Sequence, residues 1–168
     1  MSNVPIKSLL AAMAELLTEA YDKPIQPSAT WFIDNQPDSG VLGVLKGISA
    51  VEASVSVDGS RNAGTTIASH AMHLCWSLAN VNATIRGEPW NPNWSQSWAL
   101  QSVDEGEWDQ LRQELRREFE TLRDAIQKQE SLEGDYLTGL LALAPHAAYH
   151  LATIRQMLER VRMPSAED

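Results

Sequence analysis

Cysteine and long apolar runs are both scarce in this chain. Its one cysteine, Cys75, cannot form an internal disulfide. No apolar stretch approaches the roughly 20 residues that cross a bilayer; the longest lies around residues 140–144. The N-terminus lacks the basic region, apolar run and small-residue cleavage site of a signal peptide. We therefore expect a cytoplasmic protein without a membrane partner.

Positive charge is scarce as well. The chain has 13 Lys and Arg against 22 Asp and Glu, which gives a formal net charge of -9. Binding to nucleic acid requires a basic face that neutralises phosphates, so this balance argues against a nucleic-acid partner. The 168 residues, of which 43% are hydrophobic, fit a single domain over residues 1–168.

Several common catalytic motifs are missing. The sequence contains no G-x-x-x-x-G-K-S/T loop, G-x-G-x-x-G turn, G-x-S-x-G elbow, H-E-x-x-H or C-x-x-C. No Glu lies three residues before any histidine, as the E-x-x-H pairs of di-iron bundles require. Phosphate-loop, dinucleotide, serine-hydrolase and di-iron chemistry therefore have no support in the sequence.

Apolar residues recur at helical spacing in four segments. The first predicted helix covers residues 5–21, and the second covers residues 66–86. The third follows Asp104 and Glu107, which are spaced as in a capping box. The fourth begins at Gly134 and runs to the C-terminal region. This pattern predicts an all-α fold, namely a four-helix bundle.

The segments between and within these helices carry further predictions. The long first connection, residues 22–64, is expected to hold a short helix near residues 41–48 and an extended piece at residues 51–57. A Trp-rich loop joins helices two and three. Pro145 lacks an amide proton, so it should kink the fourth helix or divide it into two helices in line.

All four histidines fall into two helical pairs, His70 with His73 and His146 with His150. Residues three or four apart lie on one side of a helix, so two imidazoles at that spacing can bind one ion. A third ligand from a facing helix would leave one coordination position for water or substrate. Isolated histidines are more often surface or hydrogen-bonded core residues, but two pairs on separate helices favour a metal site.

The histidine segments resemble a known family. Residues 146–155 read HAAYHLATIR, which resembles the H-x-x-Y-H-x-G-x-I-R signature of the DinB-like (DinB/YfiT) superfamily of metal-binding four-helix bundles. Residues 66–74 read TIASHAMHL, which resembles the family's helix-two motif, where a histidine directly before a leucine is a ligand. Ala152 stands where the family often has glycine, a difference that bears on helix packing.

The resemblance implies a ligand set, a metal and a class of reaction. The family's triad falls on His73, His146 and His150. The apolar periodicity instead places His70 nearer the core, so His70 is the alternative to His73. The family commonly holds zinc or nickel, and its characterised members transfer or use a low-molecular-weight thiol. The resemblance and the tryptophans also favour a homodimer.

Other residues are weaker candidates. Tyr149 could donate a proton to a metal-bound group, although packing on a helix flank is the more common role. Cys75 lies beside an apolar position and fits a small buried hydrophobe better than a nucleophile. Trp90, Trp94 and Trp98 fit a pocket entrance, a dimer contact or packing under a loop equally well.

Two functional hypotheses follow from these residues. The first is a metal-dependent enzyme with one divalent ion that activates a thiol or water, acting as a thiol S-transferase or hydrolase on a small-molecule substrate. The second is a non-catalytic, stress-related protein that binds a metal or small molecule. A reading in which the histidines are structural and bind no ion also remains.

Overall fold

The computed structural model describes residues 4–26, 28–131 and 134–163, which contain seven helices and no strand. The fold class is therefore all-α, as predicted. In chain order the helices are α1 (Ile6–Tyr21), α2 (Val41–Lys46), α3 (Ala50–Ser54), α4 (Ile67–Ile85), α5 (Trp94–Ser97), α6 (Glu105–Gln127) and α7 (Gly134–Arg162). Within these described ranges, no helix combines the length and apolar character needed to cross a membrane.

The four long helices pack side by side. Helix α4 contacts both α6 and α7, and α1 contacts the same two helices. Their apolar residues meet in one core, where the ring of Tyr21 stacks on that of Phe119 with centroids 5.3 Å apart. Trp108 is fully buried and donates its indole proton to the carbonyl of Ile48. This bond fixes α6 against the connection that precedes α4.

The two central helices begin at side-chain caps. Asp104 and Glu107 form the predicted capping box of α6, in which each side chain accepts a hydrogen bond from the other residue's amide. Helix α4 begins after Thr66, whose hydroxyl accepts the amide proton of Ser69. These contacts fix the register in which α4 presents its histidines.

The first connection is held down by a buried carboxylate. Glu19 is only 3% exposed and accepts hydrogen bonds from the amides of Trp31 and Phe32, both at 2.6 Å. The predicted short helix is present as α2. The predicted extended piece at residues 51–57 is wrong over most of its length, because α3 occupies Ala50–Ser54. A capping box between Ser49 and Glu52 supplies the local signal that starts this helix.

Pro145 lies inside a continuous α7, so two separate helices are not formed. Proline removes one intrahelical hydrogen bond, which a helix packed along its length can tolerate. The continuity matters for the site. His146 follows Pro145 directly, and the unbroken helix keeps His146 and His150 one turn apart on one side.

Candidate metal centre

The four histidines meet where α4 packs against α7. His70 and His73 come from α4, and His146 and His150 come from α7. His70, His73 and His150 are buried, whereas His146 is half-buried. The helix spacing seen in the sequence therefore brings both pairs to one place in the fold.

Three of these rings point their Nε2 atoms toward one another. His146 Nε2 lies 3.1 Å from His73 Nε2 and 3.0 Å from His150 Nε2. One nitrogen from each of the three residues lies within 4.8 Å of the others. Imidazole nitrogens about 2.05 Å from one zinc ion would be about 2.9 Å apart at a right angle and about 3.3 Å apart in a tetrahedron. The observed distances fall inside that interval.

The ring proton of His73 can be assigned from its neighbours. Its Nδ1 lies 2.8 Å from the hydroxyl oxygen of Ser97, a residue with no exposed surface. That hydroxyl has one proton, which it donates to the carbonyl of Trp94 at 2.7 Å. Ser97 therefore accepts from His73, so the proton of His73 lies on Nδ1. The Nε2 lone pair is left facing His146.

His150 is held in a similar way through a different partner. Its Nδ1 lies 2.7 Å from Nδ1 of His70, and Nε2 of His70 lies 3.1 Å from the carbonyl oxygen of Gly64. Both ring nitrogens of His70 are therefore engaged. The three histidines that converge are His73, His146 and His150, and His70 stands behind His150.

The arrangement suits a cation. Nε2 of His73 and Nε2 of His150 both lie within hydrogen-bond distance of Nε2 of His146, which can donate a proton to only one of them. Among the residues that the structure describes, none hydrogen-bonds Nδ1 of His146. A proton on that nitrogen would turn the third lone pair inward. The cluster could therefore hold a metal ion.

Burial keeps the imidazoles neutral. Removal from water, together with the smaller effect of the neighbouring histidines, lowers the pKa of His73 to about 4 and that of His150 to about 3. Burial also lowers the pKa of His70 and of His146. Neutral imidazole is the form that binds metals, so the cluster is ready to bind at neutral pH.

The Trp-rich loop forms one wall of the site. The ring of Trp98 stacks on His73 with centroids 4.0 Å apart, and it also meets His70 edge-on at 5.3 Å. Trp94 lies 6.0 Å from His73 and is more than half exposed. Of the three roles considered for these tryptophans, packing under the loop fits Trp98. Trp90 and Trp94 remain exposed beside it, and Trp90 is 43% exposed.

Tyr149 and Cys75, the weaker candidates, lie outside the group of converging nitrogens. Tyr149 is 66% exposed and meets the ring of His150 edge-on, so it lies at the outer rim of the cluster. Cys75 is buried, and burial together with nearby Glu114 raises the pKa of its thiol to about 12. A thiol that stays protonated at neutral pH is a poor nucleophile, which agrees with the predicted packing role.

Two hydrogen-bond partners of the histidine rings could not be identified from the sequence. Ser97 and the Gly64 carbonyl both hold ring protons in place, yet one is an unremarkable loop serine and the other is a backbone group. The only available signal was Gly64 itself. Its φ of +77° is a conformation that favours glycine, and an added Cβ would lie 3.5 Å from the ring of Trp98.

Comparisons of the chain with protein-family models, with curated proteins and with solved structures find no match.

Proposed function

We propose that this protein is a metal-dependent enzyme of the DinB-like superfamily, built as a four-helix bundle from α1, α4, α6 and α7. One divalent ion, zinc or nickel, binds His73, His146 and His150. The observation that carries the proposal is the convergence of three Nε2 atoms at 3.0 and 3.1 Å, with hydrogen-bond partners that turn two of their lone pairs inward.

The donor set favours a reactive site over a structural one. Three protein nitrogens leave a fourth position for water or substrate, whereas structural zinc sites are closed by four protein ligands. His70, the nearest further imidazole, has both nitrogens engaged and does not supply that fourth ligand. His146 is half-buried and Tyr149 is exposed, so a small molecule could approach the three nitrogens from this side of α7.

The proposed reaction is thiol transfer or hydrolysis. A divalent ion in such a site supplies a Lewis acid that favours the thiolate form of a thiol or lowers the pKa of water. The chain's own residues orient the histidine rings and contact the substrate. Ser97 holds the ring proton of His73, His70 contacts Nδ1 of His150, and Trp98 covers the His73 ring. In this proposal the exposed phenol of Tyr149, whose ring meets that of His150, hydrogen-bonds a small substrate at the rim.

Three imidazoles suit zinc, nickel, copper and iron alike, so the donor set does not select the metal. The choice of zinc or nickel rests on the family resemblance. The same resemblance supplies the low-molecular-weight thiol as co-substrate and the homodimer as the assembly. Sedimentation velocity measures the assembly directly, and a single species at 18.6 kDa would contradict the dimer.

Elemental analysis of protein purified without a histidine tag tests the ligand set. We expect about one ion per chain in the wild type, and loss of that ion in His73→Ala, His146→Ala and His150→Ala. Gln156→Ala is the matched control, because Gln156 is exposed on the same helix six residues beyond His150. A wild type that binds neither zinc nor nickel when they are offered would overturn the proposal.

Turnover separates the enzyme from a binding protein. The metal-loaded protein is mixed with a small thiol and a chromogenic electrophile, and loss of free thiol is followed. We expect a rate that depends on the ion and disappears in His150→Ala. A protein that keeps its ion but consumes neither thiol nor a hydrolysable ester over the background rate would be a metal-binding protein without this activity.

A further inference from the structure

His70 is the one histidine outside the converging triad, yet it is 5% exposed and has a partner on each ring nitrogen. We propose that His70 is a positioning residue that fixes the proton of His150 on Nδ1 and thereby turns the Nε2 lone pair of His150 toward His73 and His146. The tautomer of His150 is inferred from the hydrogen bonds alone. The effect of that tautomer on metal binding rests on the proposed function.

The direction of the hydrogen bonds follows from Gly64. A backbone carbonyl can only accept, so Nε2 of His70 must donate to it across 3.1 Å. A neutral imidazole has one N–H and one lone pair, which leaves Nδ1 of His70 as an acceptor. Nδ1 of His150, 2.7 Å away, must then be the donor. The proton of His150 therefore lies on Nδ1, and its lone pair lies on Nε2.

The distances also exclude His70 as a second ligand beside His150. Two imidazole nitrogens on one ion would lie at least about 2.9 Å apart, since each is about 2.05 Å from the ion and the angle between them is a right angle or larger. Their observed separation of 2.7 Å is shorter and matches a shared proton. The orientation of both rings, Nδ1 to Nδ1, also turns Nε2 of His70 away from the triad and toward Gly64.

The surroundings hold His70 in this orientation. Gly64 adopts a left-handed conformation, with φ of +77°, in the turn that leads into α4. A larger residue would be strained in this conformation, and a Cβ added there would lie 3.5 Å from the ring of Trp98, which packs edge-on against His70. Gly64, the His70 ring and Trp98 are therefore neighbours. Such outer partners of metal-binding histidines commonly fix the tautomer and contribute 10–100-fold to metal affinity.

Nitrogen NMR of the metal-free protein tests the tautomer without any ion. In protein labelled with ¹⁵N-histidine, long-range ¹H–¹⁵N spectra distinguish a ring protonated at Nδ1 from one protonated at Nε2. We expect His150 in the Nδ1–H form and His70 in the Nε2–H form at neutral pH. A wild-type His150 protonated at Nε2 would overturn the inference, whatever the metal content.

Two substitutions at His70 separate the acceptor from the bulk of the ring. His70→Phe keeps an aromatic ring but has no acceptor, and we expect His150 to become a mixture of tautomers. His70→Asn places an amide oxygen close to the position of Nδ1, so we expect it to restore the Nδ1–H form of His150. Cys75→Ala is the matched control, because Cys75 is also buried on α4 but lies near Glu114 and Glu118 of α6.

Metal affinity, measured by competition with a chelator, is the second test of the positioning role of His70. We expect His70→Phe to weaken binding by roughly 10–100-fold, His70→Asn to recover most of it, and Cys75→Ala to leave it unchanged. Equal losses in His70→Phe and His70→Asn would overturn the positioning role. If the wild type binds no ion but His150 carries its proton on Nδ1, the proposed function fails while the hydrogen-bond assignment stands.

Discussion

Helices α4 and α6 pack against each other, but they are buried in different ways. Helix α6 buries one narrow apolar stripe, made of Trp108, Leu111, Leu115, Phe119, Leu122 and Ile126. Helix α4 is buried on most sides, and its buried residues include six polar ones: Ser69, His70, His73, Ser77, Asn80 and Asn82. Helix α6 has the pattern of a core element, whereas α4 carries polar groups into the interior.

Most buried polar groups of α4 have partners that explain their burial, although the side-chain oxygen of Asn82 has none among the described residues. Asn80 accepts the amide proton of Asn91 and so holds the Trp-rich loop, and Asn82 donates to the backbone and carboxylate of Glu118. His70 and His73 contact the opposite helix α7 and the loop. A buried polar group is destabilising unless it is paired. The paired polar side chains of α4 therefore indicate that α4 organises the site, while α6 supplies stability.

Acidification should have the largest effect on this division. The histidines on α4 and α7 have pKa values lowered by burial, two of them to about 4 and 3, against about 6.5 in the unfolded chain. The unfolded chain therefore takes up protons first as the pH falls below 6.5, and four groups respond together. We expect the free energy of unfolding of the metal-free protein to fall between pH 7 and pH 5.

Urea unfolding at pH 7, 6 and 5 measures this loss. The window separates histidines from a paired carboxyl such as Glu52, whose pKa is lowered to about 2 by hydrogen bonds from Arg162 and the Ser49 amide. Its contribution is lost only below about pH 4.5, the value in the unfolded chain. A free energy of unfolding that stays constant from pH 7 to pH 5 would refute the account of buried, neutral imidazoles.

Phe119→Ala should show the next largest effect, on the α6 side. Phe119 is 1% exposed and stacks on Tyr21, so truncation leaves a cavity in the core. We expect a loss of about 3–5 kcal/mol in the free energy of unfolding. Metal stoichiometry, measured below the unfolding transition, should stay at the wild-type value. A parallel loss of metal from the folded variant would show that α6 also shapes the site.

Added metal should stabilise the protein through α4 and α7 only. An ion that binds the folded chain alone, at one hundred times its Kd, adds about 2.7 kcal/mol to the free energy of unfolding. We expect this gain in wild type and in Phe119→Ala, both measured by thermal shift with and without zinc. His150→Ala should show none of it. A similar shift in His150→Ala would mean that zinc binds elsewhere on the chain.

Ser97→Ala should have a smaller effect, confined to metal affinity. The substitution removes the acceptor for the Nδ1 proton of His73, while Trp98 can still cover the ring. We expect metal binding to weaken about tenfold, equivalent to about 1.4 kcal/mol. Ser95→Ala in the same short helix is the control, because Ser95 is exposed and its hydroxyl donates to the side chain of Asn93, away from the histidines. Equal affinities in the two variants would contradict the role of Ser97.

The same contrast explains how far the sequence could predict the molecule. Apolar residues at helical spacing predicted the helix that became α6, and its buried residues form one such apolar stripe, because an amphipathic helix records its burial in its own sequence. The spacing of the histidines predicted that the two helical pairs could bind one ion, and the family resemblance selected His73, His146 and His150. The structure brings these three together, and their role as ligands stays a prediction.

The contacts around the histidines were beyond the reach of the sequence. Ser97 reaches His73 across 24 positions, and the partner of His70 is a backbone carbonyl, a group that every residue possesses. The choice between His70 and His73 turned on the direction in which each ring points, which depends on the loop and on α7. Short helices such as α3 depend on local capping contacts that apolar periodicity does not detect.

Asp104→Ala should give the smallest effect and the cleanest separation of the two helices. Asp104 is exposed, and its carboxylate accepts the amide proton of Glu107 in the first turn of α6; among the described hydrogen bonds, none joins Asp104 to a histidine. Loss of an N-cap of this kind costs about 1 kcal/mol of stability. We expect this decrease in urea unfolding, with unchanged metal affinity and an unchanged tautomer of His150. Asp104→Asn, which keeps a capping oxygen, should recover most of the stability. If Asp104→Ala instead weakened metal binding, the start of α6 and the site on α4 would be coupled, and the division between a stabilising helix and a site-building helix would have to be abandoned.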